Sequence, residues 1–298
     1  MDLSTLATFV KVVQTGSFTR AADSLQTHKA RVSRSVSALE RELGVRLLAR
    51  STRALSLTEA GREFFERSVG ILAAVDEARG AMQQVQGEPR GTLRLTCGVE
   101  FGLIAVSGWV RAYLQRHPQV QVEADFTARV VDLVHEGFDL AVRLGPLADS
   151  SLAARRLGTL HYALYAAPAY LKRRGTPRQP DDLAGHDTLA FAGTSRRAQW
   201  TLADGARTQR VDLQPRLHAG NTFAVRDAAE AGLGVALLPC LVAAEALQAG
   251  RLKPVLGGWA PPPVPVHAVF PSARFLAPKV RAFVDLAAQA FAVGAADR

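Results

Sequence analysis

The sequence predicts a multi-domain α/β protein in three parts: a small helical module ending in a β-hairpin, a long helix, and a larger body of two α/β lobes. Three observations support this prediction. The chain has 298 residues, which is long for a single domain. Helical periodicity dominates the first 86 residues, whereas strand and helix patterns alternate from Gly91 onward. Hydrophobic residues make up 48% of the chain, enough apolar surface for two or three cores.

Two short helices are predicted at the N-terminus. Apolar residues at helical spacing mark the first one, namely Leu6, Phe9, Val10 and Val13. Gly16 is suited to end it in a left-handed conformation, and Ser17 is suited to cap the next helix. Ala21, Ala22 and Leu25 give the second helix a small apolar face, which lets a neighbouring helix approach closely.

A third helix follows the short connection Gln26-Thr27-His28. Its inward positions are apolar, namely Val32, Val36 and Leu39. Its outward positions are cationic or hydrogen-bonding, namely Lys29, Arg31, Ser33, Arg34 and Ser35. Two helices joined by so short a turn predict a helix-turn-helix whose second helix enters the DNA major groove. A charged face that is merely solvated is the alternative for this helix considered alone.

The segment after the third helix favours the DNA-binding interpretation. Gly44 ends the helix, and residues 47–57 then include strand-like alternation at 54–57. A polar, basic tip, Arg50-Ser51-Thr52-Arg53, separates the two halves of this hairpin. Such a tip predicts a wing that reaches phosphates or the minor groove.

These residues carry a family resemblance. The stretches GSFTRAADSL and VSRSVSALERELGVRLLARSTRALSLTEAGREF resemble the winged helix-turn-helix of LysR-type transcription regulators, without gaps through Phe64. The resemblance places the helix-turn-helix on residues 18–37. The candidate DNA-binding residues that follow from the pattern and the resemblance are Thr27, His28, Lys29, Arg31, Ser33, Arg34, Arg50, Thr52 and Arg53.

The chain departs from the family pattern at two positions in the turn. Gln26 stands where a glycine is common, and His28 stands where a serine usually caps the recognition helix. We therefore expect Thr27 to supply the cap instead.

A single long helix is predicted from a cap at Thr58 to about Gln86, because no proline interrupts that stretch. Apolar residues recur seven apart as two pairs, Phe65 with Leu72 and Val75 with Met82. This imperfect heptad pattern predicts pairing with a twin helix, which the resemblance also implies; packing on the chain's own body is the alternative.

The remainder of the chain predicts two α/β lobes. Expected strands are 93–97, 120–123, 138–144, 235–238 and 264–270; expected helices are 103–117, 130–136, 223–231, 240–248 and 278–291. We expect parallel sheets with helices on both faces, and a C-terminal segment that rejoins the first lobe. The domain boundaries predicted are 1–59 for the DNA-binding module, 60–89 for the linker helix and hinge, and 90–298 for the body.

The body also resembles the LysR effector-binding domain, which has a periplasmic-binding-protein-like fold. The resemblance covers residues 91–293 and includes GTLRLTCGVEFG, RVVDLVHEGFDLAVRLGPLADSSLAARRLG and RDAAEAGLGVALLP. It implies a small ligand between the lobes, an organic acid or an aromatic metabolite. The implied lining is Gly98, Val99, Glu100, Phe101, Thr127, Arg143, Leu144, Gly145, Asn221 and Thr222.

The residues leave structural alternatives open for this lining. Arg143 could instead pair with Asp139 or Glu100, while Asn221 and Thr222 could simply cap a helix. Backbone N–H groups at Thr222 are suited to a carboxylate. Glu100 would repel an anionic ligand, whereas the positive charge balance of the body would attract one, so these two cues about the ligand conflict.

Charge and motif content narrow the function class. The net charge is +9, and residues 1–62 hold ten Lys/Arg against five Asp/Glu. From Gly91 onward the counts are twenty-three and seventeen, so the N-terminal module is the more densely basic part. No GxSxG, HExxH, CxxC or GxxxxGK[ST] motif is present, which argues against an enzyme.

We therefore expect a cytoplasmic, homodimeric or homotetrameric transcription regulator without catalytic residues, bound metal or resident cofactor. The expected partners are double-stranded promoter DNA, a small organic effector and RNA polymerase, with no membrane association. The rival interpretation is a solute-binding protein, which the DNA-binding front and the absence of a signal peptide oppose. Two cysteines are too few for a disulfide framework. Cys97 is expected to be a small core residue, with oxidant sensing as the alternative.

Overall fold

The computed structural model describes residues 2–50, 55–83, 88–147, 152–191, 198–271 and 276–296. The side chains of residues 50, 73, 76–83 and 292–296 lie outside this description. Within the described residues, no helix is both long and apolar enough to cross a membrane.

The N-terminal module is three helices followed by a two-stranded antiparallel hairpin. Its elements are α1 (Leu3–Thr15), α2 (Phe18–Ser24), α3 (Lys29–Leu43), β1 (Leu48–Arg50) and β2 (Leu55–Leu57). As predicted, Gly16 and Gly44 end α1 and α3 with φ values of 61° and 70°. The core of the module contains Phe9, Leu39 and Phe65, none of which is exposed. The predicted helix-turn-helix with a wing hairpin is confirmed.

The linker helix α4 (Glu59–Gln83) begins where the sequence predicted. Thr58 caps it by accepting a hydrogen bond from the N–H of Gly61 at 2.9 Å. Phe65, however, was wrongly assigned to a seam between twin helices. It is fully buried in the N-terminal core, where its ring packs edge-on to Phe9 with centroids 6.4 Å apart. A spacing of seven residues is shared by both kinds of packing, so the repeat could not distinguish them.

The body begins with most of the first lobe. Its elements in chain order are β3 (Gly91–Cys97), α5 (Val99–Phe101), a π-helical turn at Gly102–Val106, α6 (Ser107–Arg116), β4 (Val120–Phe126), α7 (Leu133–Glu136), β5 (Leu140–Leu144) and β6 (Ala153–Leu160).

The chain then crosses into the second lobe through His161. This lobe contains β7 (Tyr162–Ala166), α8 (Pro168–Arg174), a 3₁₀ turn at Pro180–Gly185, β8 (Thr188–Phe191), β9 (Ala198–Ala203), β10 (Thr208–Leu213), β11 (Leu217–Ala219), α9 (Thr222–Glu230), β12 (Val235–Pro239), α10 (Cys240–Gln248) and β13 (Lys253–Val255).

The chain finally returns to the first lobe with β14 (Val264–Phe270) and α11 (Pro278–Ala296). The first-lobe sheet has the order β4-β3-β5-β14-β6, and the second-lobe sheet has the order β11-β8-β12-β7-β13. Strand β14 lies between β5 and β6, and α11 packs its buried Phe283 against Tyr113 of α6. The predicted return of the C-terminal segment to the first lobe is confirmed.

Several details differ from the sequence predictions. Both sheets are mixed, because β14 and β7 run antiparallel to their neighbours. Helix α7 begins at Leu133, since Asp132 caps it by accepting from the N–H groups of Val134 and His135. The helical stretch after β3 begins at Val99, four residues earlier than expected. Strands β6 to β11 and β13 were not predicted.

The N-terminal module contacts the first lobe through α1, α4 and α7. The ring of Phe65 in α4 stacks on the imidazole of His135 in α7. Beside this stack, Gly137 has φ of 68°, and a Cβ atom there would lie 2.9 Å from the Nη1 of Arg94 and 3.0 Å from the amide nitrogen of Gln14 in α1. A larger residue would therefore be strained and would displace these two side-chain ends. Burial, followed by the charge of Arg94, lowers the pKa of Lys11 at the same contact.

Candidate DNA interface and effector cleft

Helix α3 presents the cationic face that the sequence predicted. His28, Lys29, Arg31 and Arg34 are exposed, and Ser33 is partly exposed. Val32, Val36 and Leu39 on the opposite face are at most 2% exposed, so core packing fixes the rotation of the helix. Within the residues that the structure describes, Lys29, Arg31 and Arg34 form no ion pair, which leaves their charges available to a polyanion.

The structure of the turn before α3 shows what Gln26 and His28, the two residues that depart from the family pattern, do in this chain. Gln26 has φ of 50°, in the left-handed region where glycine is least strained, which explains why a glycine is common there. The expectation that Thr27 caps α3 was wrong. His28 occupies the N-cap position, and its side chain makes no capping hydrogen bond. Thr27 is instead held by its N–H, which donates to the carbonyl of Ala22 at 2.9 Å.

A buried carboxylate fixes the hairpin against α3. Glu40 is 9% exposed, and its Oε1 accepts from the N–H groups of Leu47 and Leu48 at 2.8 and 3.0 Å. The hairpin therefore keeps a set position relative to the exposed face of the helix. Sequence analysis missed this role of Glu40, because a charged residue inside a helix usually faces water.

The tip of the hairpin is only partly described. Arg50 ends β1, where its backbone pairs with Leu55, but its side chain lies outside the described residues. Thr52 and Arg53 also lie outside them. The DNA contacts assigned to these three residues stay predictions.

The candidate effector cleft lies where strands of the first lobe end. Because β3, β4 and β5 run parallel, the residues after them meet at one edge of the sheet. Gly98, Thr127 and Gly145 follow these three strands, and the N–H of Thr127 donates to the carbonyl of Cys97 at 2.9 Å. The structure thus brings Gly98, Thr127 and Gly145 to one edge of the first-lobe sheet.

The second lobe meets this edge at the N-terminus of α9. Asn221 caps that helix, because its Oδ1 accepts from the N–H groups of Phe223 and Ala224 at 2.9 and 3.2 Å. Thr222 is 5% exposed and donates both its N–H and its hydroxyl to the carboxylate of Glu100. One acidic side chain of the first lobe therefore reaches across to a helix of the second.

Tyr162 is a neighbour of this contact that sequence analysis missed. Burial, followed by the negative charge of Glu100, raises the pKa of the Tyr162 hydroxyl. Tyr162 is the first residue of β7, directly after the crossing between the lobes. Its position at the start of that strand was the only signal available, and β7 itself was not predicted.

Two predicted lining residues belong instead to the core of the first lobe. Phe101 is 3% exposed, with its ring 5.7 Å from Trp109 and 6.1 Å from Phe291, so the prediction that it lines the cleft was wrong. The helix through α5 turns this side chain inward. Leu144 packs partly against the same core. Val99 is 38% exposed and stays accessible.

Arg143 forms neither of the ion pairs considered for it. Its Nη2 donates to the carbonyl of Val131 at 2.9 Å, which ties β5 to the loop before α7. Asp139 pairs with Lys279 at 2.8 Å and Glu100 with Thr222, so both proposed partners are engaged elsewhere. Arg143 as a whole is half-buried near the end of β5.

Cys97 is a core residue at the end of β3. It is 5% exposed, and burial, followed by the charge of Asp125, raises its pKa to about 12. Such a thiol is almost entirely protonated at neutral pH and is therefore a poor nucleophile. Among the described residues, no group of three or more His, Cys, Asp or Glu side chains is arranged to hold a metal ion.

Comparisons with known families match both parts of the chain. The family model described as "Bacterial regulatory helix-turn-helix protein, lysR family" matches residues 3–62. The model described as "LysR substrate binding domain" matches residues 86–292.

Individual relatives extend the similarity over nearly the whole chain. An HTH-type transcriptional regulator of Xanthomonas campestris pv. campestris is 39% identical over 95% of this chain and 84% of that protein. The structure of CrgA, a LysR-type transcriptional regulator from Neisseria meningitidis, has a TM-score of 0.62 at 30% identity, covering 98% of this chain and 99% of that one. The full-length Vibrio cholerae virulence activator AphB has a TM-score of 0.59 at 28% identity, covering 96% and 98%.

LysR-type regulators bind promoter DNA and small-molecule effectors and form oligomers. The winged helix-turn-helix, the linker helix and the two-lobed body found here are the parts of such a regulator. The chain belongs to the LysR family of transcription regulators and is not an enzyme.

Proposed function

We propose that the protein works as a homodimer or a dimer of dimers, which places paired α3 helices in successive major grooves of a partly palindromic promoter site. The observation that carries this proposal is the exposed cationic face of α3, rigidly oriented by its buried opposite face. A dimer with two-fold symmetry presents the same DNA-binding surface twice, so it fits a palindromic site made of two half-sites.

The residues of α3 and the hairpin divide the DNA contacts between them. Arg31 and Arg34 can donate two parallel hydrogen bonds to a guanine edge, while Lys29 and Ser33 suit phosphates or bases. Thr27 and His28 stand at the N-terminus of α3, where backbone N–H groups also favour a phosphate. Arg50, Thr52 and Arg53 of the wing are assigned to phosphates or the minor groove.

We further propose that a small organic effector binds between the lobes and changes DNA bending or the spacing of the DNA-binding modules. Gly98, Val99, Glu100, Thr127, Gly145 and Thr222 are the residues nearest to such a molecule. The altered complex would recruit or exclude RNA polymerase, and the protein would act in the cytoplasm, where promoter DNA lies. The chain passes between the two lobes twice, after β6 and before β14. Lobes connected in this way can move relative to each other as rigid bodies, which supports this mode of regulation.

Fluorescence anisotropy of the full-length protein on the DNA upstream of its own gene, across a salt series, tests the proposal. We expect tighter binding to this DNA than to a scrambled version, and affinity that falls as salt rises. Equal affinity for the two DNAs at every salt concentration would contradict the proposal.

Arg34→Ala sharpens the experiment. If Arg34 contacts a base, the variant loses about 1–3 kcal/mol of specific binding; if it contacts phosphate, the salt dependence flattens. Arg178→Ala removes the same charge from an exposed site in the second lobe and serves as the matched control. Unchanged affinity and unchanged salt dependence in Arg34→Ala would remove this residue from the interface.

A further inference from the structure

The N-terminus of α9 is already occupied by a carboxylate, that of Glu100. Both oxygens of this group are used, since Oε1 accepts from the N–H of Thr222 and Oε2 accepts from its hydroxyl. Glu100 and Thr222 are 122 residues apart in sequence and belong to different lobes. The contact is therefore a tertiary connection across the cleft.

The remaining donors at this helix end are also satisfied. The Asn221 side chain accepts hydrogen bonds from the N–H groups of Phe223 and Ala224, and Glu100 accepts one from the N–H of Thr222. A helix N-terminus with free N–H groups is a natural site for an anion. Here the chain supplies the anion itself, and its charge repels any second carboxylate that approaches.

We propose that Glu100 is a specificity-determining latch: it connects the two lobes and fills the carboxylate subsite of the cleft, so the effector is a molecule that places no carboxylate at α9. The inference rests on the proposed effector cleft and narrows its ligand class to organic molecules that do not need a carboxylate bound at the N-terminus of α9. A hydrogen-bond donor on such a molecule can still approach the unused lone pairs of Glu100, because a carboxylate has about four acceptor sites.

Removing the Glu100 side chain should create an empty carboxylate-binding site at Thr222. In Glu100→Ala, the N–H and hydroxyl of Thr222 lose their acceptor, and a space the size of a small carboxylate opens beside them. We expect added acetate to fill this space. At ten times its dissociation constant, acetate should raise the melting temperature of the variant by about 3–6 °C.

The experiment uses thermal unfolding of the full-length protein in the absence of DNA, titrated with sodium acetate at constant ionic strength. Acetamide, a neutral molecule of similar shape, is the control ligand. Glu123→Ala is the control variant, because it removes a carboxylate of the first lobe that pairs with Arg94 and touches no helix N-terminus. We expect a saturable response to acetate in Glu100→Ala only, and none to acetamide.

Three results would overturn the latch. The melting temperature of wild type could rise with acetate as much as that of Glu100→Ala, or it could rise in neither protein. The melting temperature of Glu100→Ala could also rise equally with acetate and with acetamide. If Glu100→Ala does not fold, Glu100→Gln keeps the shape and one acceptor oxygen but loses the charge. Its Thr222 amide should then exchange with solvent faster than in wild type, and an unchanged exchange rate would equally overturn the proposal. Because no DNA is present, these results are independent of the promoter-binding test.

Discussion

The ring of Phe65 in the linker helix stacks on the imidazole of His135 in the first lobe, with centroids 4.9 Å apart and planes inclined by 24°. Phe65 also belongs to the core of the DNA-binding module, where none of its surface is exposed. Helix α7, which carries His135, follows the loop that Arg143 ties to the edge of the cleft. A continuous series of contacts therefore runs from the cleft to the core of the DNA-binding module.

We expect His135→Ala to loosen this connection. Loss of the ring stack should destabilise the contact by about 0.5–1.5 kcal/mol and increase amide exchange in α1 and α4. Hydrogen exchange of the full-length protein measures the effect helix by helix. His117→Ala is the control, because the His117 ring lies 4.9 Å from Tyr113 entirely within the first lobe. Equal exchange of α1 and α4 in the two variants would show that the stack does not support the N-terminal module.

Gln26→Gly should stabilise the DNA-binding module. Gln26 has φ of 50°, and glycine adopts this conformation without a clash of its Cβ atom. We expect the free energy of unfolding to rise by about 0.5–1 kcal/mol, with part of the gain offset by the larger entropy of the unfolded chain. Gln26→Val should have the opposite effect, because a β-branched residue is more strained there. Urea unfolding of both variants checks the sign, and a more stable valine variant would contradict the strain argument.

Cys97 should resist modification in the folded protein. Its pKa of about 12 leaves almost no thiolate at pH 8, and the side chain is 5% exposed. Iodoacetamide followed by peptide mass spectrometry should label Cys97 only after denaturation. The partly exposed Cys240 serves as the internal reference in the same sample. Rapid labelling of native Cys97, or a loss of DNA binding after peroxide that Cys97→Ser abolishes, would restore the oxidant-sensing alternative.

The pair Arg129–Glu136 should add stability at neutral pH that is lost in acid. Hydrogen bonds from the Arg129 side chain hold the pKa of Glu136 below its ordinary value. Because the folded pKa is the lower one, the contribution is complete above the unfolded pKa and disappears as pH falls through the folded pKa.

Glu136→Gln should therefore cost at most about 1 kcal/mol at pH 7, since Arg129 is 53% exposed and water screens the pair. Urea unfolding at pH 7 and at about pH 3 should show the difference from wild type shrinking in acid. Glu245→Gln, whose carboxylate is 82% exposed in its pair with Arg251, is the control. A difference that does not change with pH would contradict the assignment to Glu136.

Elements with local signals were predictable from the sequence. Gly16 and Gly44 end helices with positive φ, Thr58 caps α4, and the alternation around Leu57 forms a strand. In each case the deciding interaction lies within a few residues of the element. The cap of α3 was wrongly assigned because residue type favours Thr27, whereas the helix begins one residue later and has His28 at the N-cap position without a side-chain capping bond.

Features that depend on distant partners could not be predicted. The antiparallel placement of β14 between β5 and β6 requires knowledge of both neighbours. The contact between Glu100 and Thr222 joins residues 122 positions apart. The sequence did supply both halves of that contact, as a donor-rich helix end and an acidic residue that would repel anions. Only the fold shows that this helix end and this acidic residue bind each other.

The position of β14 also imposes an order on synthesis. Among the strands that the structure describes, β6 pairs with β14 alone, so the first-lobe sheet cannot be completed until residues 264–270 have left the ribosome. The DNA-binding module and the second-lobe sheet, by contrast, are complete in earlier segments of the chain. A nascent chain can thus fold its DNA-binding module before its sensing body is complete, because the last strand to emerge, β14, fills the place between β5 and β6 in the first-lobe sheet.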